Sequence, residues 1–223
     1  MAGTNTSAGP EGDDDAVSVD LQTTGTCFDD YVSGRVSEHH ALAAYYGAPA
    51  KSVVHKIASV IDTETAAFVR ATSLVFLSTY GADGRCDVTP RGGPPGFARM
   101  LDDRVVAIPD VPGNRRLDSM HNIIDTGRIG ALFVIPGRMD AVRCNGRALV
   151  TSEPGLLRHF DTGRKPPLLA IVMEVDEVFI HCSSALARSN AWRPDRWVPP
   201  EAAPTMDEMW AAHLASNGHE GLR

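Results

Sequence analysis

Two stretches of this chain bring together residues whose types could hold an anion. The first is Cys86-Asp87-Val88-Thr89-Pro90-Arg91-Gly92-Gly93-Pro94-Pro95-Gly96-Phe97, a Gly/Pro-rich region bearing Arg91. The second is Ile108-Pro109-Asp110-Val111-Pro112-Gly113-Asn114-Arg115-Arg116-Leu117-Asp118-Ser119, with two adjacent arginines. Asn114 reads as a helix N-cap, and an apolar face follows at Leu117, Met120, Ile123 and Ile124. A helix opening on Asn-Arg-Arg aims free backbone N–H groups and two guanidinium forks at one point. A phosphate monoester rewards that geometry, because it accepts several charge-assisted hydrogen bonds at a helix N-terminus.

Arginine-rich turns also occur on ordinary solvated surfaces, and 18 of the 21 basic residues here are arginine. Arg115-Arg116 alone is therefore weak ground for a phosphate site. Arg91 in a second turn strengthens it, since glycine and proline fix tight bends that let a ligand approach the main chain.

The elements that must position these residues follow from the hydrophobic periods. Helices are expected at Ser37–Tyr46 with Ser37 as cap, at Ala50–Val60, and after Asp62 to about Ala71. The period then changes. Leu74–Tyr80 reads as a buried strand, Gly81–Gly84 as a hairpin turn, and Arg85–Thr89 as the antiparallel partner. Further strands are expected at Arg104–Ile108, Arg128–Ile135, Ala141–Thr151 and Leu168–Ile180. In the fifth, Val142, Cys144, Gly146, Ala148 and Val150 alternate with Arg143, Asn145, Arg147 and Leu149. The helix after Asn114 should stop at Gly127. Short helices are expected at Glu153–Phe160 and from Ser183 to about Ser189, and a terminal amphipathic helix at Thr205–Ala215. Six strands joined mostly by short turns, with one helix inserted between the third and fourth, suggest a closed antiparallel barrel with flanking helices.

Composition bounds the rest. The 223 residues, 43% of them apolar, suit one generous domain with extensions. Residues 1–36 read as an acidic, mobile tail, 37–200 as the folded domain, and 201–223 as a C-terminal helix and tail. Seven of the 28 acids lie in residues 1–34, which hold no lysine or arginine; the remaining 21 balance 21 basic residues. The body thus has no basic bias of the kind that marks a nucleic-acid partner. Neither a secretory signal nor an apolar run of the ~20 residues a membrane span needs is visible, and a cytoplasmic location is expected. Cys27, Cys86, Cys144 and Cys182 are scattered and form no paired metal or redox motif. His39-His40 face different directions on a helix, and His181-Cys182 has no matching second pair, so no metal is expected.

The motifs taken in order resemble a known family. Phe76-Leu77-Ser78-Thr79, Asp83-Gly84, Asp87–Gly92, Pro109–Ser119, Arg128–Phe133 and Arg143-x-Asn145-Gly146 are similar to the pyridoxamine 5′-phosphate oxidase-like superfamily. More narrowly they resemble a bacterial branch of FMN-dependent enzymes. The resemblance implies a six-stranded split β-barrel and a homodimer with FMN at the subunit interface. It implies that Arg91, Arg115 and Arg116 clamp the FMN phosphate with Asn114, and that Thr89, Pro109 and Asp110 line the ribityl chain and the isoalloxazine edge. Arg143 and Asn145 would reach across the interface. The segment from Cys182 with Arg188, Ser189 and Trp192 would close over the flavin or substrate, Trp192 serving otherwise as a packing anchor.

The narrower branch usually carries an acidic residue where this chain has Gly93 and a basic one where it has Ser184. The C-terminal Arg/His pattern by which pyridoxamine phosphate oxidases hold their substrate is missing, and Pro194-Asp195-Arg196 only echoes it, so that activity itself is not expected. Three functions remain: an FMN-dependent oxidoreductase acting by hydride transfer on a small organic molecule, a non-catalytic flavin carrier or sensor, and a related barrel using a deazaflavin or haem.

Overall fold

A computed structural model describes residues 28–160, 166–182 and 184–220. The chain divides into two compact units, residues 1–49 and residues 50–223. In the first unit the described part is a 3-10 turn, Phe28–Gly34, and helix α1, His39–Tyr46. The expected cap Ser37 lies outside α1, whose first flanking residue is Glu38, with no side-chain cap. The expected acidic tail falls, for residues 1–27, outside the described residues, and so does Cys27.

The second unit opens with two helices, α2 (Lys51–His55) and α3 (Thr63–Ala71). α2 is half the length expected, because Ala58 leaves the helix to form a bridge with Val178. α3 begins where expected: the Asp62 carboxylate accepts from the Thr65 N–H at 2.7 Å. That cap satisfies one of the orphan donors of the first turn.

Among the described residues seven strands follow, not six: β1 (Leu74–Tyr80), β2 (Cys86–Gly92), β3 (Arg99–Met100), β4 (Val105–Asp110), β5 (Arg128–Val134), β6 (Asp140–Thr151) and β7 (Leu169–Cys182). The extra strand, β3, exists because Asp102 folds the chain back. Its carboxylate accepts from the Arg104 and Val105 N–H groups, both at 2.7 Å, and sets Arg99 opposite Ala107. Every ladder is antiparallel, in the order β2-β1-β5-β6-β7-β4-β3. Among the described residues no ladder joins β2 to β3, so the sheet is open rather than closed. It nevertheless curls around one core. Val75 and Leu77 of β1 share a buried cluster with Val106 and Ile108 of β4, and Phe133, Cys144, Ile171 and Met173 fill the space between.

Period-two burial is clean in β1, where Val75, Leu77 and Thr79 point inward and Phe76 and Tyr80 outward. The strand is therefore one-faced rather than wholly buried. β6 alternates as expected through Val150, and opposite Asn145/Gly146 a bulge gives β7 one extra residue, Asp176. Asp176 meets Arg128 at 2.9 Å, and Glu174 meets Arg147 at 2.6 Å, so these two acids of β7 are paired surface charges.

Helix α4 (Asp118–Thr126) connects β4 to β5 and stops at Gly127, whose φ of 64° permits the left-handed C-cap. Among the described residues three further α-helices belong to this unit: α5 (Pro154–Leu157), α6 (Ser184–Arg188) and α7 (Met206–Ser216). α7 begins with a full capping box between Thr205 and Glu208 and buries no residue. Among the described residues no helix is long and apolar enough to cross a membrane.

Candidate functional site

Arg91 was expected in a turn; it lies in β2, opposite Val75. Period two then places Asp87, Thr89 and Arg91 on one face of the strand. β2 pairs only with β1, so Pro90, which has no N–H to donate, is tolerated at the edge. The Arg91 Nη1 donates to Thr89 Oγ1 at 2.7 Å and to the Pro90 carbonyl at 3.2 Å. Its Nε lies 3.7 Å from Asp110 Oδ1, at the end of β4. The Arg91 and Asp110 side chains are only 23% and 15% exposed, so the pair is largely removed from solvent. Burial raises the Asp110 carboxyl pKa above its usual value, and the Arg91 charge only partly offsets this.

These residues wall a cavity of about 330 Å³. Its far side is the turn leading into α4. Seven of the residues singled out in the sequence line it: Thr89, Arg91, Pro109, Asp110, Asn114, Arg115 and Arg116. The helix does not begin at Asn114, however. Leu117 flanks α4 with φ 59° and ψ 22° and provides no side-chain cap. Asn114 caps a turn instead, its Oδ1 accepting from the Arg116 N–H at 3.1 Å. The expected apolar face is correspondingly narrower. Met120 and Ile123 are buried, while Leu117 and Ile124 are exposed.

The turn alternates in backbone hand. Arg115 and Leu117 have φ of 64° and 59°, and Arg116 between them does not have a positive φ. Left-handed backbone at a non-glycine residue costs roughly 1–2 kcal/mol. Alternation of the two hands is how consecutive N–H groups come to converge on an anion. Among the described residues, the N–H groups of Gly113, Asn114 and Arg115 have no hydrogen-bond partner, and the Arg115 side chain makes no hydrogen bond or ion pair. Arg116 donates from Nε to Asp118 at 2.8 Å, which holds its guanidinium more firmly charged and leaves its other nitrogens free to donate.

Sequence reasoning gave no role to Asp87, Ser119 or Phe97. Asp87 accepts from the Ser119 hydroxyl at 2.5 Å across the cavity floor. Its signal was the spacing Asp87-x-Thr89-x-Arg91, legible once Arg91 is placed in a strand. Phe97, 5% exposed, accounts for Gly93: a Cβ there would lie 2.7 Å from the Phe97 Cβ. An acidic side chain at position 93 has no room unless Phe97 moves.

The remaining candidates do not line this cavity. Arg143 and Asn145 lie on β6 and line a separate concavity of about 370 Å³ with Phe76, Leu132 and His181. The Arg143 guanidinium sits 5.5 Å from the Phe179 ring centroid, and Asn145 Nδ2 donates to Glu177 at 3.0 Å. Arg188 donates to Ser184 Oγ at 3.1 Å, and the Ser189 hydroxyl donates to the Leu186 carbonyl at 3.3 Å. Trp192 is anchored by its Nε1, which donates to the Arg138 carbonyl at 2.8 Å.

No curated protein matches the chain. Among solved structures, it is similar to HupZ of Group A Streptococcus at 20% identity. That match covers 55% of this chain and 95% of the other, with a TM-score of 0.44. The general stress protein 26 of Bacillus anthracis matches at 13% identity, over 51% and 88% of the two chains, with a TM-score of 0.41. An FMN-binding protein of Syntrophomonas wolfei matches at 14% identity, over 53% and 87%, with a TM-score of 0.39. Residues 61–182 match the family model for pyridoxamine 5′-phosphate oxidase. That span contains the whole cavity and more than half of the 223 residues, and the chain belongs to the pyridoxamine 5′-phosphate oxidase family.

Proposed function

We propose that the protein is an FMN-dependent oxidoreductase that works as a homodimer on a small organic substrate. The observation that carries this reading is the turn before α4. Three unpartnered N–H groups, the free Arg115 guanidinium and the donors of Arg116 surround one corner of the cavity, with Arg91 on the facing strand. Such a donor set fits a phosphate dianion. Thr89 and Asp110 sit beside it as hydroxyl and carboxylate partners for the alcohol groups of a ribityl chain.

Bound FMN would supply a hydride acceptor or donor at its N5. The protein's own part is to hold the phosphate, orient the ring and exclude water. In the homodimer, Arg143 and Asn145 would approach the cofactor across the interface, supported by the exposed Phe76 and Val88 on the same outer sheet surface. The segment with Arg188, Ser189 and Trp192 would close over the substrate side.

Purified protein is expected to carry a flavin spectrum, with bands in the near-ultraviolet and the blue, and to bleach and reoxidise in turnover. A Soret band, a deazaflavin spectrum, or a flavin that never turns over would each overturn the proposal. Arg115→Ala should weaken FMN binding by ~1.5–3 kcal/mol, the contribution of one charge-assisted hydrogen bond. Unchanged FMN affinity in that variant would remove the phosphate assignment.

A further inference from the structure

The cavity's two arginine-bearing walls come from separate parts of the chain, and two polar bonds fix one against the other. Thr79 of β1 and Asp87 of β2 stand directly opposite each other in the hairpin. Ser119 and Asn122 of α4 are three residues apart and so share one helix face. The Ser119 hydroxyl donates to Asp87 at 2.5 Å, and Asn122 Nδ2 donates to Thr79 Oγ1 at 3.0 Å. A cross-strand pair is thus joined to a helical pair. Ser119 and Thr79 are 3% and 2% exposed, so neither bond competes freely with water.

This double tie joins the buried Met120 and Ile123 in holding α4 on the hairpin. The residues it locates are those just before the helix, the left-handed Arg115 and Leu117 with Arg116 between them. Their backbone is strained, and local side-chain support is slight: Leu117 has no side-chain cap, Asn114 accepts from the Arg116 N–H, and Arg116 pairs with Asp118. A sub-ångström slide of α4 would carry the Arg115 and Arg116 donors away from Arg91.

We propose that Asp87 is a positioning residue, which through Ser119 sets the phosphate-binding turn against β2, with Asn122–Thr79 as the second fixed point. This rests on the FMN reading above and adds the device that aligns its phosphate site. Asp87 and Ser119 themselves line the cavity, within reach of a ligand, whereas the proposed role runs through α4. The decisive variant is therefore Asn122→Ala, because Asn122 does not line the cavity.

The experiment measures dissociation constants of FMN and of riboflavin, which lacks the phosphate, for wild type, Asn122→Ala, Ser119→Ala, Asp87→Ala and Asp87→Asn. Titrations are made well below each variant's melting temperature. Asn122→Ala and Ser119→Ala are expected to lose about tenfold or more in FMN affinity, comparable to losing one charge-assisted bond, while riboflavin affinity changes by less than about twofold. Asp87→Asn retains an oxygen for the Ser119 hydroxyl and should restore most of the FMN preference lost in Asp87→Ala. Equal losses for both ligands, or none for either, would overturn the positioning role and leave the FMN reading standing. A wild type without preference for FMN over riboflavin would overturn the phosphate site itself.

Discussion

Arg91 Nε and Asp110 Oδ1 lie 3.7 Å apart although β2 is the outermost strand at one end of the sheet and β4 the last but one at the other. No backbone ladder connects those strands among the described residues. The ion pair is therefore a side-chain contact between the two ends of the curled sheet, in the lining of the cavity.

That contact is not expected to add stability. Breaking a buried pair normally leaves a bare charge, but Arg91 would keep its bonds to Thr89 and the Pro90 carbonyl. Asp110 has a raised carboxyl pKa because burial outweighs the Arg91 attraction. A raised pKa means stability is greatest with the proton on, and is lost as pH rises through the folded value. Asp110→Asn mimics the protonated form. It should melt slightly higher than wild type at pH 8, and the gap should close as pH falls toward the ordinary aspartate range. A variant that melts lower at pH 8 would show that the pair stabilises the fold.

Gly146 sits at the bulge where β6 and β7 change register. A Cβ there would lie 2.0 Å from the Glu174 carbonyl oxygen and 2.9 Å from its carbon, both main-chain atoms that cannot swing aside. Gly146→Ala should cost about 3 kcal/mol or more, the upper range of overpacking. Denaturant unfolding gives the number directly. A loss under about 1 kcal/mol would mean that the bulge slides freely.

Much of this was legible in the sequence where local signals act alone. Asp62 caps α3, Gly81–Gly84 turns the β1–β2 hairpin with Gly84 at φ 82°, and Gly127 ends α4. Alternation along β6 separates the buried Val142 and Cys144 from Arg143 and Asn145 as read. The errors fall where distant contacts decide. Arg91 looked like a turn residue because Gly92-Gly93-Pro94 follows it, yet pairing with Val75 extends the strand through it. Asn114 looked like a helix cap, but α4 starts at Asp118, with Leu117 in the left-handed region before it and Ser119 and Asn122 bonded to the hairpin. No period or propensity in residues 108–119 encodes that tie. β3 was missed because two residues are too short to show alternation.

Cys144 is fully buried in the core, and burial pushes its thiol pKa up to about 12. Thiolate is the reactive form, so this cysteine should resist alkylation in the native protein. With iodoacetamide at pH 8, peptides containing the exposed Cys86 and Cys182 should be labelled, and the Cys144 peptide only after unfolding. The linkage has a definite sign. Stability from the protonated thiol is complete below the ordinary thiol pKa and is lost above it, by up to about 1.4 kcal/mol per pH unit. Native labelling of Cys144 would mean that the β6–β7 core opens readily.

The Asp62 cap titrates in the opposite direction. Its carboxylate is held below the ordinary aspartate pKa, chiefly by the Thr65 N–H, with the Thr65 hydroxyl adding to it. A lowered pKa gives stability that is complete above the unfolded value and lost as pH falls through the folded one. Asp62→Ala should therefore cost about 1 kcal/mol at pH 7, the usual worth of an N-cap. The deficit should shrink at pH 3, where the wild-type carboxylate begins to take up its proton. Asp62→Asn keeps an acceptor without the titration, so its stability relative to Asp62→Ala should hold steady between the two pH values. Urea unfolding of the three proteins at pH 7 and pH 3 separates the contributions. An Asp62→Ala deficit of the same size at both would assign the effect to helix propensity and not to the capping carboxylate.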